Sequence, residues 1–315
     1  LTKIKNLQEI PLNDFGIQPF LTVGGLLFTR TAKYPVIRGY LSDCDLSSCY
    51  ATFMSHMNIY LGEPVTRTFK YKKYKPTVRE IIEFIDNQKI NRDAWFIRVS
   101  GELIKAFNTL VMSDLRFTPK SILCPTVKDL NPNKKSVELF NAFKTPKKQA
   151  VSTLLLKQIK FGLINADILD CLKVLPDSWY EEYLDLQCDC LVYFPTELIA
   201  ENLNELLELR EELPDESYVE TFNPKNGIKN IETQYYKNNV ALKFDIGLFW
   251  RELKSKRSAY KKAKNPIQEI FKLVGNSGYG VLACLHLATN NLVASNMITA
   301  GARSAAWLMT NSLNG

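Results

Sequence analysis

The side chains with the clearest chemistry lie between residues 246 and 280. Arg257 and Lys261 are four apart, so they share a face of any helix that carries them. Gln268, Lys272, Asn276 and Tyr279 follow at steps of four, four and three, which makes one polar stripe. Asn265-Pro266 divides the stretch into two helices. Asn265 is a good N-cap, Pro266 suits the first helical position, and Gln268 completes a capping-box pattern. Two antiparallel helices so divided can aim Arg257, Lys261 and Lys272 into one groove. Three convergent cations suit a ligand with several charged oxygens, such as a triphosphate. Ile267, Ile270, Phe271 and Val274 form the opposite stripe and are expected in the core. Lysines on a solvated helix face would share this spacing. Gly275, Gly278 and Gly280 weigh against that blander pattern, because glycine costs helix stability and its use points to close approach by another chain or ligand.

A second constellation sits near the start of the chain. Residues 34–45 read as a strand that feeds a sharp turn carrying Asp43 and Asp45. Tyr50, Phe53, Met54, Met57 and Leu61 follow at helical spacing. A helix is therefore expected from about residue 48, capped by Ser47 or Ser48 and stopped by Gly62 and Pro64.

In this order the two segments resemble a known family. Lys272-Leu-Val-Gly-Asn276-Ser277-Gly-Tyr279-Gly280 is similar to motif B of family B DNA polymerases, K-x-x-x-N-S-x-Y-G, and Arg257-x-x-x-Lys261 with Gln268 fits the family's fingers helices. Asp45-Leu46-Ser-Ser48-Cys49-Tyr50 resembles motif A, D-x-x-S-L-Y-P. Cys49 stands for the usual Leu and Ala51 for the usual Pro, which marks a divergent member.

The resemblance implies roles for particular residues. Asp45 would be the catalytic, metal-binding carboxylate, with the Leu46 carbonyl as a further ligand for one of two Mg²⁺ (or Mn²⁺) ions. The backbone amides of Ser48, Cys49 and Tyr50 would meet the triphosphate at a helix N-terminus. Tyr50 would be the steric gate that excludes a 2′-hydroxyl. Arg257, Lys261, Lys272 and Asn276 would bind the incoming dNTP. Tyr279 and Gly280 would contact the nascent base pair and template. Asp43 would be secondary.

These expectations set the elements that must position the residues. The expected class is α+β, with an antiparallel polymerase palm sheet, two-helix fingers, and an incomplete outline. Residues 1–240 would form a partial palm with motif A and an insertion around 176–240. Residues 241–280 would be the fingers with motif B, and 281–315 a helix returning to the palm. In between, short helices are expected at 79–87, 150–174 (with Leu154, Leu155 and Ile159 on one stripe), 196–212 and 246–263, and a strand near Trp95–Val99. Residues 65–75 interleave Arg67, Lys70, Lys72, Lys73 and Lys75 with Phe69, Tyr71 and Tyr74. That mix suits a grip on a nucleic-acid strand or a lysine-protected hairpin edge.

Composition narrows the partners. Hydrophobic residues make up 46 % and charged residues 23 % of 315, which is globular. The net charge of +7 suits a polyanionic partner. Seven scattered cysteines and two histidines fit a reducing compartment and offer no zinc spacing. No stretch is long and apolar enough to span a membrane, so a cytoplasmic place (bacterial, phage or plasmid) or an organellar one is expected.

Two-metal chemistry needs a second carboxylate, which the family carries on motif C after the return helix. No Asp or Glu follows Gly280, and Asp185 and Asp189 precede motif B. A chain cut from something longer, a split gene or an intein near motif C would each account for this. The expected partners are primer-template DNA, dNTP, and a C-terminal fragment bearing motif C and the thumb. The other readings are a catalytically dead, polymerase-like nucleic-acid-binding or scaffold module, and a reverse transcriptase or RNA polymerase sharing a palm; Tyr50 argues against ribonucleotide use.

Overall fold

The structure is a computed structural model and describes residues 46, 48–69, 75–103, 123, 158–215, 235–284, 287 and 291–313. It is a mixed α and β protein with eight helices among these residues. Helix α1 (Cys49–Met54) leads into β1 (Asn58–Leu61) and β2 (Val65–Thr68). Then come α2 (Val78–Asn87), β3 (Trp95–Glu102), β4 (Gln158–Ile164), α3 (Ala166–Leu172), α4 (Asp177–Leu184) and β5 (Gln187–Tyr193). Next are β6 (Ile199–Ala200), α5 (Leu203–Glu211) and β7 (Ala241–Asp245). The last three are α6 (Gly247–Lys262), α7 (Gln268–Ala283) and α8 (Leu292–Leu313).

Two sheets organise the chain. One is antiparallel throughout, in the order β2-β5-β3-β4. Runs of β-branched, aromatic and leucine side chains buried on both faces explain it: Phe96, Ile97, Val99, Ile159, Leu191 and Val192 are all buried. Helix α2 is amphipathic and buries Val78, Ile81, Phe84 and Ile85, with a complete capping box between Thr77 and Glu80. β5 falls within residues 176–240 and runs between β2 and β3.

The second sheet has the order β1-β7-β6, with β7 antiparallel to β1 and parallel to β6. Its register sets Asn58 opposite Asp245. The chain leaving α1 becomes β1, and β7 leads directly into α6. This pairing therefore brings α1 and α6 together. Asn291 ties in α8: its side chain donates to the Tyr60 carbonyl at 2.9 Å and accepts from the Ala294 amide at 3.0 Å.

Several sequence expectations are corrected. The helix expected to reach Leu61 ends at Met54, and Asn58–Leu61 is a strand. The spacing of Met57 and Leu61 mimics a helix, but Ile59 and Tyr60 bury their side chains in a sheet, where the Tyr60 hydroxyl donates to Asp93 at 2.5 Å. The helix expected over 150–174 is β4 followed by α3. Pairing with β3 wins over local periodicity, and Asn165 caps α3 by accepting from the Ile168 amide at 3.1 Å. The helix expected from 196 starts at Leu203, after a 3₁₀ turn and β6.

Arg67 is interior, 1 % exposed, with its Nε on the Tyr193 hydroxyl at 3.3 Å and its guanidinium over the Phe84 ring. Lys75 pairs with Asp189 at 2.8 Å. Neither is presented as a free surface cation for a nucleic-acid strand. Residues 70–74 lie outside the described residues, as do residues 1–45, 131–150, Leu154, Leu155, His286 and Asn290.

Among the described residues Cys49, Cys171, Cys188, Cys190 and Cys284 are free thiols. Burial pushes the Cys190 thiol up to about 11; the Arg98 charge opposes the rise and Asp189 adds to it. The unfolded chain therefore releases this proton first, and stability falls as pH climbs from about 9 to about 11. Cys190→Ala is expected to remove up to about 2–3 kcal/mol of that alkaline loss. Urea unfolding of both proteins across this range reads the difference.

Candidate functional site

The described part of the site is built where α1, α6, α7 and α8 meet. Helix α7 packs closely because its inner face is glycine. A Cβ at Gly278 would lie 2.3 Å from the Trp250 ring, and one at Gly275 would lie 3.5 Å from the Ala51 methyl. Tyr260 on α6 stacks on Phe271 of α7 with ring centres 5.4 Å apart. Helix α8 reaches α1 at Gly301, where a Cβ would sit 2.5 Å from the Phe53 ring.

This packing reverses the expected stripe on α7. Ile270 is 61 % exposed, and Ile267 and Val274 are also exposed; only Phe271 of the four turns inward. The seam follows Phe271, Gly275, Gly278 and Leu282. Glycines let two helices close up, and the bulky side chains are left outside. The capping box expected at Gln268 is also absent. Asn265 accepts from the Ile267 amide at 3.0 Å, as an Asx-type turn, while the Gln268 side chain turns to Glu269.

Of the residues assigned by resemblance, Asp45 lies outside the described residues, with Asp43 and Ser47. Leu46, Ser48, Cys49 and Tyr50 are half-buried. Of the two expected caps, Ser47 lies outside the described residues, and Ser48 occupies the cap position of α1 but makes no cap bond. Its φ of 52° is left-handed, a conformation costing roughly 1 kcal/mol for a non-glycine and common at functional sites. Its hydroxyl accepts instead from Arg257 Nη1, across 209 residues of chain.

Tyr50 and Tyr279 come together, with ring centres 5.1 Å apart and planes tilted by 48°. Burial raises the pKa of both phenols, so they are neutral at ordinary pH. The buried Arg303 on α8 acts on both. Its own pKa is pushed down by burial to about 10, against the pull of the two phenols, so it stays charged at neutral pH. A positive charge thus lies close to the tyrosine pair.

Lys261 and Lys272 are exposed, and Lys272 is within 3.7 Å of Glu269. Asn276 is also exposed, and a Cβ at Gly280 would meet nothing within 4 Å. The structure therefore unites Ser48, Tyr50, Arg257 and Tyr279, while Lys261, Lys272, Asn276 and Gly280 are exposed. Arg257 Nε is buried without a hydrogen-bond partner, a condition that costs free energy unless a ligand or water satisfies it.

Sequence reasoning missed Arg251 and Lys254. Arg251 Nη1 donates to the Ser55 carbonyl at 2.6 Å, and Lys254 Nζ donates to the Thr52 hydroxyl at 3.1 Å. The signal was present: Arg251, Lys254, Arg257 and Lys261 run at steps of three, three and four on one helix face.

Asp189 and Asp185 are already engaged. Asp189 accepts from Lys75 at 2.8 Å and from Ser100 at 2.6 Å, with Arg98 at 3.8 Å, and Asp185 lies 3.7 Å from Arg79. Among the described residues no group of three His, Cys, Asp or Glu side chains could hold a metal ion. The described residues thus offer only the Leu46 carbonyl of the implied metal ligands.

No helix among the described residues is long and apolar enough to cross a membrane. No protein family, curated protein or solved structure matches the chain.

Proposed function

We propose that this chain is the palm-and-fingers part of a family B DNA polymerase, adding dNTPs to a primer 3′ end. The observation that carries the proposal is the union of its two motif segments. Ser48 and Tyr50, from the motif A resemblance, meet Arg257 and Tyr279, from the fingers and motif B resemblance. Nothing in local sequence requires segments so far apart to touch. A polymerase requires it, because the nucleotide lies between them.

On this reading the four-stranded antiparallel sheet belongs to the palm, α6 and α7 are the fingers, and α8 is the return helix. Arg257, Lys261 and Lys272 hold the triphosphate by charge. Tyr50 closes the sugar side of the site, and the open flank at Gly280 receives the template. The Mg²⁺ ions, held by Asp45 and the Leu46 carbonyl together with a carboxylate from a partner segment, would stabilise charge on the reacting phosphate.

Primer extension with Mg²⁺ and dNTPs tests this, using the chain alone and together with the sequence encoded immediately downstream. Template-directed extension by the combination supports the proposal. No extension in either case, with primer-template binding intact, replaces it with a non-catalytic nucleic-acid-binding module.

A further inference from the structure

Helix α6 lies along α1 with three cations facing it at even intervals. Arg251 reaches the Ser55 carbonyl at 2.6 Å, Lys254 the Thr52 hydroxyl at 3.1 Å, and Arg257 the Ser48 hydroxyl. Steps of three along α6 meet steps of three and four running backwards along α1. Each step rises about 4.5 to 6 Å on either helix, so the two ladders stay in phase. Every donor is a cation on α6, and every acceptor is an oxygen on or beside α1.

The far end is anchored twice. Arg251 sits at the last carbonyls of α1, where the negative end of a helix favours a cation. Its Nη2 also lies 3.3 Å from Asp245, which accepts from the Gly247 amide at 2.6 Å. The end of β7, the first turn of α6 and the end of α1 are thereby joined through one guanidinium. Gly247 makes this possible, since a Cβ there would lie 2.7 Å from the Ser55 carbonyl oxygen.

We propose that Arg251 and Lys254 are positioning residues that hold α6 in register on α1, so that the Arg257 guanidinium stands over Ser48 in the nucleotide-binding alignment. The proposal rests on the polymerase reading. Neither residue touches nucleotide. Losing either frees α6 to slide or tilt, and Arg257 then leaves the place where its buried Nε and its Ser48 contact are both set.

The test uses this chain together with the sequence encoded downstream, and single-nucleotide incorporation with Mg²⁺ and dNTPs. Lys254→Met and Arg251→Gln each raise the dNTP KM about tenfold with kcat changed less than about twofold, as for loss of one charge-assisted hydrogen bond. Lys254→Arg restores the wild-type KM. Thr52→Val, which removes the accepting hydroxyl and keeps the shape, raises KM as Lys254→Met does, and the double variant is no worse than either single one. Thr52→Val also carries the test if Lys254→Met does not fold. Unchanged KM in all these variants, in an enzyme that extends primers, overturns the positioning role and leaves the polymerase reading standing. A wild-type enzyme that incorporates nothing overturns both.

Discussion

Asp45→Asn is expected to cut primer extension by about a thousandfold in the enzyme assembled from this chain and the sequence encoded downstream. Primer-template affinity and thermal stability stay near wild type. The substitution keeps the shape and removes the charge. On the polymerase reading that charge is one of the few that hold divalent cations at the reacting phosphate, and such cations contribute several kcal/mol at about 1.36 kcal/mol per tenfold. The neighbourhood supports the choice of residue. Ser48, three residues after Asp45 in the sequence, meets α6 through Arg257. Asp43→Asn is the control, expected to cost less than about tenfold, because the resemblance assigns the metal to the aspartate three residues before Ser48. Single-turnover extension of a labelled primer measures both. Full synthesis by Asp45→Asn would remove this residue from the chemistry and sink the proposed function.

Gly278→Val should destabilise the protein by about 3 kcal/mol in urea unfolding, since overpacking a tight helix contact typically costs 1–3 kcal/mol. The first added carbon alone would stand 2.3 Å from two atoms of the Trp250 ring and 3.2 Å from the Met54 methyl. Trp250, on α6, is itself buried. Gly278→Ala meets the same ring but regains up to about 1 kcal/mol of helix propensity, so its net cost is smaller. Gly280→Ala goes the other way. Nothing lies within 4 Å of its added carbon, and the propensity gain of up to about 1 kcal/mol is uncompensated. On the polymerase reading Gly280 faces the template, so this variant binds primer-template more weakly while being more stable. Two glycines two residues apart would thus respond with opposite signs, one for packing and one for access.

These contrasts show which features were legible in the amino-acid order. Asn265-Pro266 divides α6 from α7 as read, because proline cannot continue a helix and asparagine satisfies the next free amide. Helix α2 and strand β3 lie where a short helix at 79–87 and a strand near Trp95–Val99 were expected. The residues that converge at the site were also legible as types: Ser48, Tyr50, Arg257 and Tyr279 stand out from spacing and resemblance alone.

Tertiary structure decided which of them touch and which face each helix turns inward. Residues 50–61 carry a helical pattern of apolar side chains, yet Asn58–Leu61 is a strand, because pairing with β7 satisfies its backbone and buries Ile59 and Tyr60. The same holds at Ile159, where pairing with β3 overrides helical periodicity. On α7 the apolar stripe looked like the core face, but close helix packing follows the smallest side chains, so Gly275 and Gly278 face inward and Ile270 is left in solvent. The basic ladder of Arg251, Lys254 and Arg257 shows the limit most plainly. Its spacing is local and was readable. What those cations rest on is set by the β1–β7 pairing, which lays α6 along α1 and gives each cation its oxygen.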